Sequence, residues 1–148
     1  MSRLRKYLAL TPSGRAIILR SLLLLPIVAV LLRTLGMART TALLERLGRH
    51  AEGGPDTLAP QEIARLIHAA ASILGAPCLP RALVLSHFLH CRGTPAEIRF
   101  GVTKLADGKL SAHAWVELDG LPLDDRADVF ERYATLPSSA TQFRVDHP

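Results

Sequence analysis

The spacing of apolar residues changes period near residue 95, and this switch limits what the chain can fold into. Upstream, apolar residues recur every three or four positions, as on one face of a helix. Downstream, residues 96–104 and 109–118 alternate as strands do, joined through Ala106-Asp107-Gly108. Asp119-Gly120 is the strongest hairpin signal in the sequence and makes residues 121–125 a return strand. N-terminal helices followed by a small antiparallel sheet define an α+β fold. At 148 residues and 49% apolar side chains, the chain can bury a core as one compact domain. Within it we separate a basic, Leu-rich helical region over residues 1–50, for docking or support, from a catalytic core over residues 51–148.

Residues 1–13 form a basic, turn-prone lead-in. A helical pattern then spans residues 14–35, and its middle, residues 21–32, is almost wholly apolar. Arg20 and Arg33 bracket only twelve residues, Pro26 among them, whereas a membrane-spanning helix needs roughly 20. No small-x-small cleavage site follows directly, as it would in a signal peptide. The expected structure is a Pro-kinked buried helix, or one lying on a partner or membrane surface. A second helix is expected over residues 39–47 with Leu43, Leu44 and Leu47 on one side, then a loop over 48–58. Pro60 in a first-turn position, with Gln61 and Glu62 behind it, starts a third helix, with Ile63, Leu66, Ile67, Ala70 and Ile73 as its buried stripe. Gly75-Ala76-Pro77 ends that helix. Residues 79–90 are helical again, with Leu83, Val84, Phe88 and Leu89 as core, and Gly93 closes them. A short helix is expected over 127–136 and a loose final dozen residues.

The net charge of +5 is unevenly spread. Residues 1–50 hold nine Lys/Arg against Glu45 alone, a balance of +8, and the remainder balances at −3. A basic N-terminal third suits anionic lipid or an acidic protein. Nucleic acid is set aside: aromatics are scarce at 5% and do not interleave the arginines. Cys78 and Cys91 are too few for a disulfide scaffold, and thirteen residues along one helix is too far to bridge. Free thiols point to a reducing compartment, the cytoplasm.

The chemistry lies between Cys78 and Asp125. A cysteine at a helix start meets unpaired N–H groups and the positive end of the helix dipole, which favour a thiolate and can hold an oxyanion. Arg81, one turn in, adds positive potential. On the strand, His113, Trp115 and Glu117 share one face, and Ala112, Ala114, Val116 and Leu118 share the core face. The first set lines a cleft, with Trp115 shielding the imidazole. The acid depends on the turn. A two-residue loop sets Asp124 opposite Trp115 and diagonal to His113; a three-residue loop sets Asp125 opposite His113. A thiol, an imidazole and a carboxylate in this order are the parts of a cysteine hydrolase that needs no metal or organic cofactor.

Other readings use the same residues. His87, His90 and Cys91 share a helix face as a partial metal set without a fourth ligand at a standard spacing. A non-catalytic peptide-binding adaptor would keep the fold without turnover. Another acyl transfer, such as amidation or cross-linking, would use the same triad.

The runs Cys78-Leu79-Pro80-Arg81-Ala82-Leu83, Gly101-Val102, His113-Ala114-Trp115-Val116-Glu117 and Leu123-Asp124-Asp125 together resemble the lasso peptide biosynthesis B proteins, over about residues 14–126. The similarity is to their transglutaminase-like, papain-like cysteine peptidase part. It implies Cys78 as nucleophile, His113 as general base and Asp125 as the acid, with Asp124 where many relatives carry Asn, and so favours the three-residue loop. It further implies removal of a leader from a ribosomally made precursor, before a separate ATP-dependent lasso cyclase closes the ring. With no room for a leader-recognition domain ahead of the first helix, the chain resembles the split form, which works with a separate recognition protein. The basic N-terminal third is the expected docking surface.

Overall fold

Helix α1, Pro12–His50, has one break in its helical dihedrals, at Gly36 (φ 77°, ψ 175°). Only glycine adopts that conformation without strain. The break therefore falls at the boundary expected between the first two helices, and not at Pro26, which lies inside the helix. This is a computed structural model, and it describes residues 10–50 and 58–137. Residues 1–9 of the expected lead-in over 1–13, 51–57 of the expected loop over 48–58, and the C-terminal residues 138–148 lie outside the described residues, while residues 12–13 and 48–50 are helical.

Helix α2 (Pro60–Leu74) starts with Pro at its first turn, where the missing N–H costs nothing, and ends on Gly75 in the left-handed conformation. Helix α3 (Cys78–His90) follows at once, entered through Pro77 in an extended conformation. Strands β1 (Glu97–Lys104), β2 (Leu110–Leu118) and β3 (Leu121–Pro122) come next, then a four-residue helix α4 (Val129–Arg132) and strand β4 (Ala134–Thr135). The sheet has the order β3-β2-β1-β4, and each neighbouring pair is antiparallel. The architecture is thus α+β, helices first and a small antiparallel sheet after.

Helix α3 is the central post. Ala82, Leu83, Val84, Leu85, Phe88 and Leu89 are all buried, because α1 and α2 pack on it from one side and β1 and β2 from the other. A helix apolar on most of its circumference has to be enclosed in this way. Ala114 and Val116 of β2, with Ile98 and Phe100 of β1, form the sheet's contribution to the core.

Three expectations change. Ile73 is 54% exposed, since the whole last turn of α2 overhangs the layer it packs on. Of the three leucines expected on one side of the helix, Leu44 is buried while Leu43 and Leu47 are exposed. The helix expected over 127–136 is shortened to α4, and the chain then pairs with β1 through Gly101↔Thr135 and Val102↔Ala134. That pairing satisfies backbone groups along an otherwise open strand edge, and the Leu136 N–H adds a bond to the Phe100 carbonyl at 2.8 Å.

Helix α1 is also not wholly buried. Ile17, Ile18, Leu25 and Val28 enter the core, while Leu19, Leu23, Ile27 and Val30 form an exposed apolar row. By length and composition alone, Pro12–Gly48 is long and apolar enough to cross a membrane, with an 18-residue window of mean hydropathy 2.3 that is 28% buried. The twelve residues between Arg20 and Arg33 understate that length.

Candidate active site

The site grows from strand β2. Alternation turns Ala114 and Val116 toward α3, and His113, Trp115 and Glu117 to the opposite face. The sequence predicts a cleft along that second face, with Trp115 shielding the imidazole. His113 does line a cavity, but the rest of the face is a second buried layer: Trp115 is fully buried and Glu117 nearly so. The C-terminal segment covers it, because β4 pairs on the outer edge of β1. Tyr133 stacks on the His113 ring (centroids 4.9 Å apart, 28° between planes), and Trp115 stacks on it at 5.9 Å and 26°. Phe130 meets Trp115 edge-on at 6.1 Å. The buried Glu117 carboxylate accepts the Trp115 indole N–H at 2.8 Å and pairs with Arg99 at 3.2 Å, so its burial is compensated.

Gly101 lies opposite His113 in the β1–β2 register. A Cβ there would sit 2.8 Å from the Tyr133 Cβ and 2.9 Å from the Trp115 ring, distances that force one of them to move. Gly101→Ala should therefore cost about 1–3 kcal/mol in chemical denaturation and disturb the aromatic stack on His113. An unchanged midpoint with unchanged near-ultraviolet circular dichroism would refute this close-packing account.

The hairpin after β2 is the two-residue form. Asp119 (φ 52°) and Gly120 (φ 78°) both take positive φ, and Leu118 pairs with Leu121. This overturns the three-residue loop that the family resemblance favours, yet Asp125 still meets His113. The reason is that β3 ends at Pro122. The Leu123 N–H still bonds the Val116 carbonyl at 2.8 Å, but the Val116 N–H is taken at 2.7 Å by Oδ1 of the Asp124 side chain. A carboxylate replaces the ladder, the chain leaves the sheet, and Asp125 comes beside the imidazole.

Asp125 Oδ2 is hydrogen-bonded to His113 Nε2. Its Oδ1 accepts the Arg126 backbone N–H at 2.7 Å and the Arg132 guanidinium at 2.8 Å. Burial by itself would raise the pKa of Asp125; the bonds from His113, the Arg126 N–H and Arg132 outweigh it and hold the carboxyl below its ordinary value. A charged acceptor at Nε2 keeps the proton on that nitrogen and leaves Nδ1 with the free lone pair.

Asp124 has a different task. Its side chain is fully enclosed, bonded to Val116 and 3.5 Å from Arg81 Nε. Burial pushes its pKa up, against the Val116 hydrogen bond and the Arg81 charge. Asp124→Ala would strand both partners and should cost about 2–4 kcal/mol. Asp124→Asn, which keeps an acceptor for Val116, should cost less than half as much; thermal unfolding of the two variants tests that order.

Cys78 heads helix α3 with a free, partly buried side chain packed against the core. Pro80 has no N–H, so the unpaired donors of that first turn are those of Cys78 and Leu79. Among the described residues no hydrogen bond joins Cys78 to His113. The tie between their elements runs through Arg81, one turn into α3, which reaches Asp124 and also donates to His68 Nδ1 at 3.4 Å. Arg81 is thus a brace between α2, α3 and the end of the hairpin rather than a free charge.

The partial metal set does not converge. His87 Nδ1 faces the Leu44 carbonyl at 3.1 Å and its Nε2 lies 3.8 Å from Cys91 Sγ, whereas His90 turns back to Ser86. Burial lowers the pKa of His87 and raises that of Cys91.

Sequence reasoning missed Tyr133, which stacks on the histidine, Phe130, which packs on Trp115, and Arg132, which holds Asp125. Two of them belong to a scarce aromatic set just past the hairpin, and that clustering was the available signal. It also missed Arg65 and His68 of α2, which line a cavity of about 520 Å³ beside His113, Asp125 and Arg81.

The family model described as Transglutaminase-like superfamily matches residues 21–138. No curated protein and no solved structure matches the chain significantly.

Proposed function

The chain belongs to the transglutaminase-like superfamily, and we propose that within it this protein is a cysteine peptidase that removes the leader from a ribosomally made lasso peptide precursor. The observation that carries the reading is the His113–Asp125 hydrogen bond at Nε2, which leaves Nδ1 as the base. In the proposed mechanism Nδ1 takes the Cys78 thiol proton and the thiolate attacks the scissile carbonyl. The oxyanion is held by the Cys78 and Leu79 N–H groups. Imidazolium then returns its proton to the leaving amine, and the C–N bond breaks to leave a thioester. A water, deprotonated by Nδ1, hydrolyses that thioester and regenerates the thiol. Asp125 keeps the ring oriented and stabilises its charged form; Arg81, Asp124 and Trp115 hold the surrounding elements in position.

We assign the leader itself to a separate recognition protein, and the product to an ATP-dependent lasso cyclase, both in the cytoplasm. The exposed row Leu19, Leu23, Ile27 and Val30, on a region whose charge balance is +8, suits an acidic recognition partner with an apolar contact face.

The test mixes the protein with the precursor peptide, with and without the recognition protein, and reads products by mass spectrometry. Cleavage of one bond, faster with the partner and with product masses that sum to the precursor plus one water, is the expected result. Products joined to an added amine in place of water would move the assignment to acyl transfer on the same triad. Peptide bound but never cleaved would make the protein an adaptor.

A further inference from the structure

The cavity beside His113 is more cationic than hydrolysis of a neutral peptide bond requires. Four arginines line its volume of about 520 Å³: Arg65 from α2, Arg81 from α3, and Arg126 and Arg132 from beyond the hairpin. Two of these are committed, Arg81 to Asp124 and Arg132 to Asp125 and Asp128. The two carboxylates on the wall are also engaged. Asp124 is enclosed against Val116 and Arg81, and Asp125 is held by His113, the Arg126 N–H and Arg132. Arg65 and Arg126 differ: both are exposed, and neither makes an ion pair among the described residues. A group entering the cavity therefore meets two uncompensated guanidinium groups in a concave wall that also contains His113. Guanidinium forks match the geometry of a carboxylate, and a concave wall of one sign concentrates the opposite charge.

We infer that this cavity binds a carboxylate of the peptide substrate beside His113, with Arg65 and Arg126 as its recognition groups. The assignment rests on the peptidase reading for the identity of the substrate, and on the arginines alone for the selectivity. The carboxylate has two possible sources, an acidic side chain or the end of the chain, and the chemistry of recognition is the same for both. The size of the cavity suits one or a few residues rather than a single ion.

The test is calorimetric binding to the full-length Cys78→Ala protein, which leaves bound peptide intact. Synthetic peptides on a Gly-Ser-Ala background carry one Glu, or Gln in its place, each with a free or an amidated C-terminus. The expected result is that the Glu form binds about tenfold tighter than the Gln form, as for a charge-assisted pair at a partly exposed site. Arg65→Gln combined with Arg126→Gln should bring that ratio to about one. Arg65→Glu, on the exposed side of a helix, should invert it, and circular dichroism checks that each variant is folded. Loss of tight binding on amidation rather than on Gln replacement identifies the chain end as the source. Equal affinity for all four peptides, or a preference that survives the double variant, overturns the inference. The two readings fail separately. Cleavage of a precursor regardless of its acidic residues keeps the peptidase and removes the carboxylate site; acid-selective binding with no cleavage of any precursor does the reverse.

Discussion

Replacing Cys78 with Ala should end hydrolysis, with turnover falling roughly a hundred-thousand-fold or more, while stability stays within about 1 kcal/mol of the parent protein. The large effect follows because no other group in the site can form the covalent intermediate. The small one follows because the side chain is only partly buried and loses a single sulfur atom. Initial rates on the precursor and a thermal melt measure the two halves. A third reading uses a thiol-directed alkylating reagent at neutral pH, located by mass spectrometry. Cys91 is the internal control: burial raises its pKa, so it stays protonated, and labelling should fall on Cys78. A folded Cys78→Ala protein that still cleaves, or a parent protein labelled first at Cys91, would remove Cys78 from the mechanism.

Asp125→Asn should be nearly as damaging to turnover as Asp125→Ala, a loss on the order of a hundred- to ten-thousand-fold. The reason is the crowding of donors around this carboxylate. The Arg126 N–H and the Arg132 guanidinium both point at Oδ1, and His113 Nε2 is at Oδ2. An amide has one oxygen. If two donors hold it, the NH₂ faces Nε2, the imidazole proton moves to Nδ1, and the base is lost. Asparagine would thus preserve shape while selecting the wrong tautomer. The pH dependence of stability carries the same signature. Asp125 has a folded pKa below its ordinary value, so its contribution is full above the ordinary carboxylate range and fades as pH falls through the lowered value. The stability gap between the parent protein and Asp125→Asn should accordingly narrow in acid. An Asn variant with near-parental turnover would show that the ring is oriented by other means, with the Tyr133 and Trp115 stack as the candidate.

Much of this fold was legible from period and punctuation. The change from helical to alternating spacing placed α2, α3, β1 and β2 to within one or two residues. Gly75 and Asp119-Gly120 mark an end and a turn through backbone conformations that other residues avoid. What failed did so where neighbours decide. Ile73 keeps helical spacing with the buried stripe of α2 yet lies beyond the layer that would cover it, and Trp115 and Glu117 were read as lining a cleft with His113 because nothing local reveals that β4 returns to enclose them.

The acid was the sharpest case. Strand register is a local property, and the two residues of the turn set it: the positive φ values at Asp119 and Gly120 pair Leu118 with Leu121. Spacing left Asp124 and Asp125 both open, the family resemblance pointed to Asp125, and the observed register by itself would bring Asp124 nearer to His113. The outcome depends instead on a side chain taking a backbone donor, Asp124 on Val116, which ends the ladder and releases Asp125 toward the imidazole. The sequence by itself determined the order of elements, the chemical types of the site and their places on a helix start, a strand and a hairpin end, because those follow from short-range dihedral preference and periodicity. Only the tertiary structure decided how Asp125 reaches the histidine from a two-residue turn, that Arg81 is a brace, and that Tyr133 closes the aromatic layer. Each of those depends on groups distant in the chain competing for the same buried hydrogen bonds and the same space.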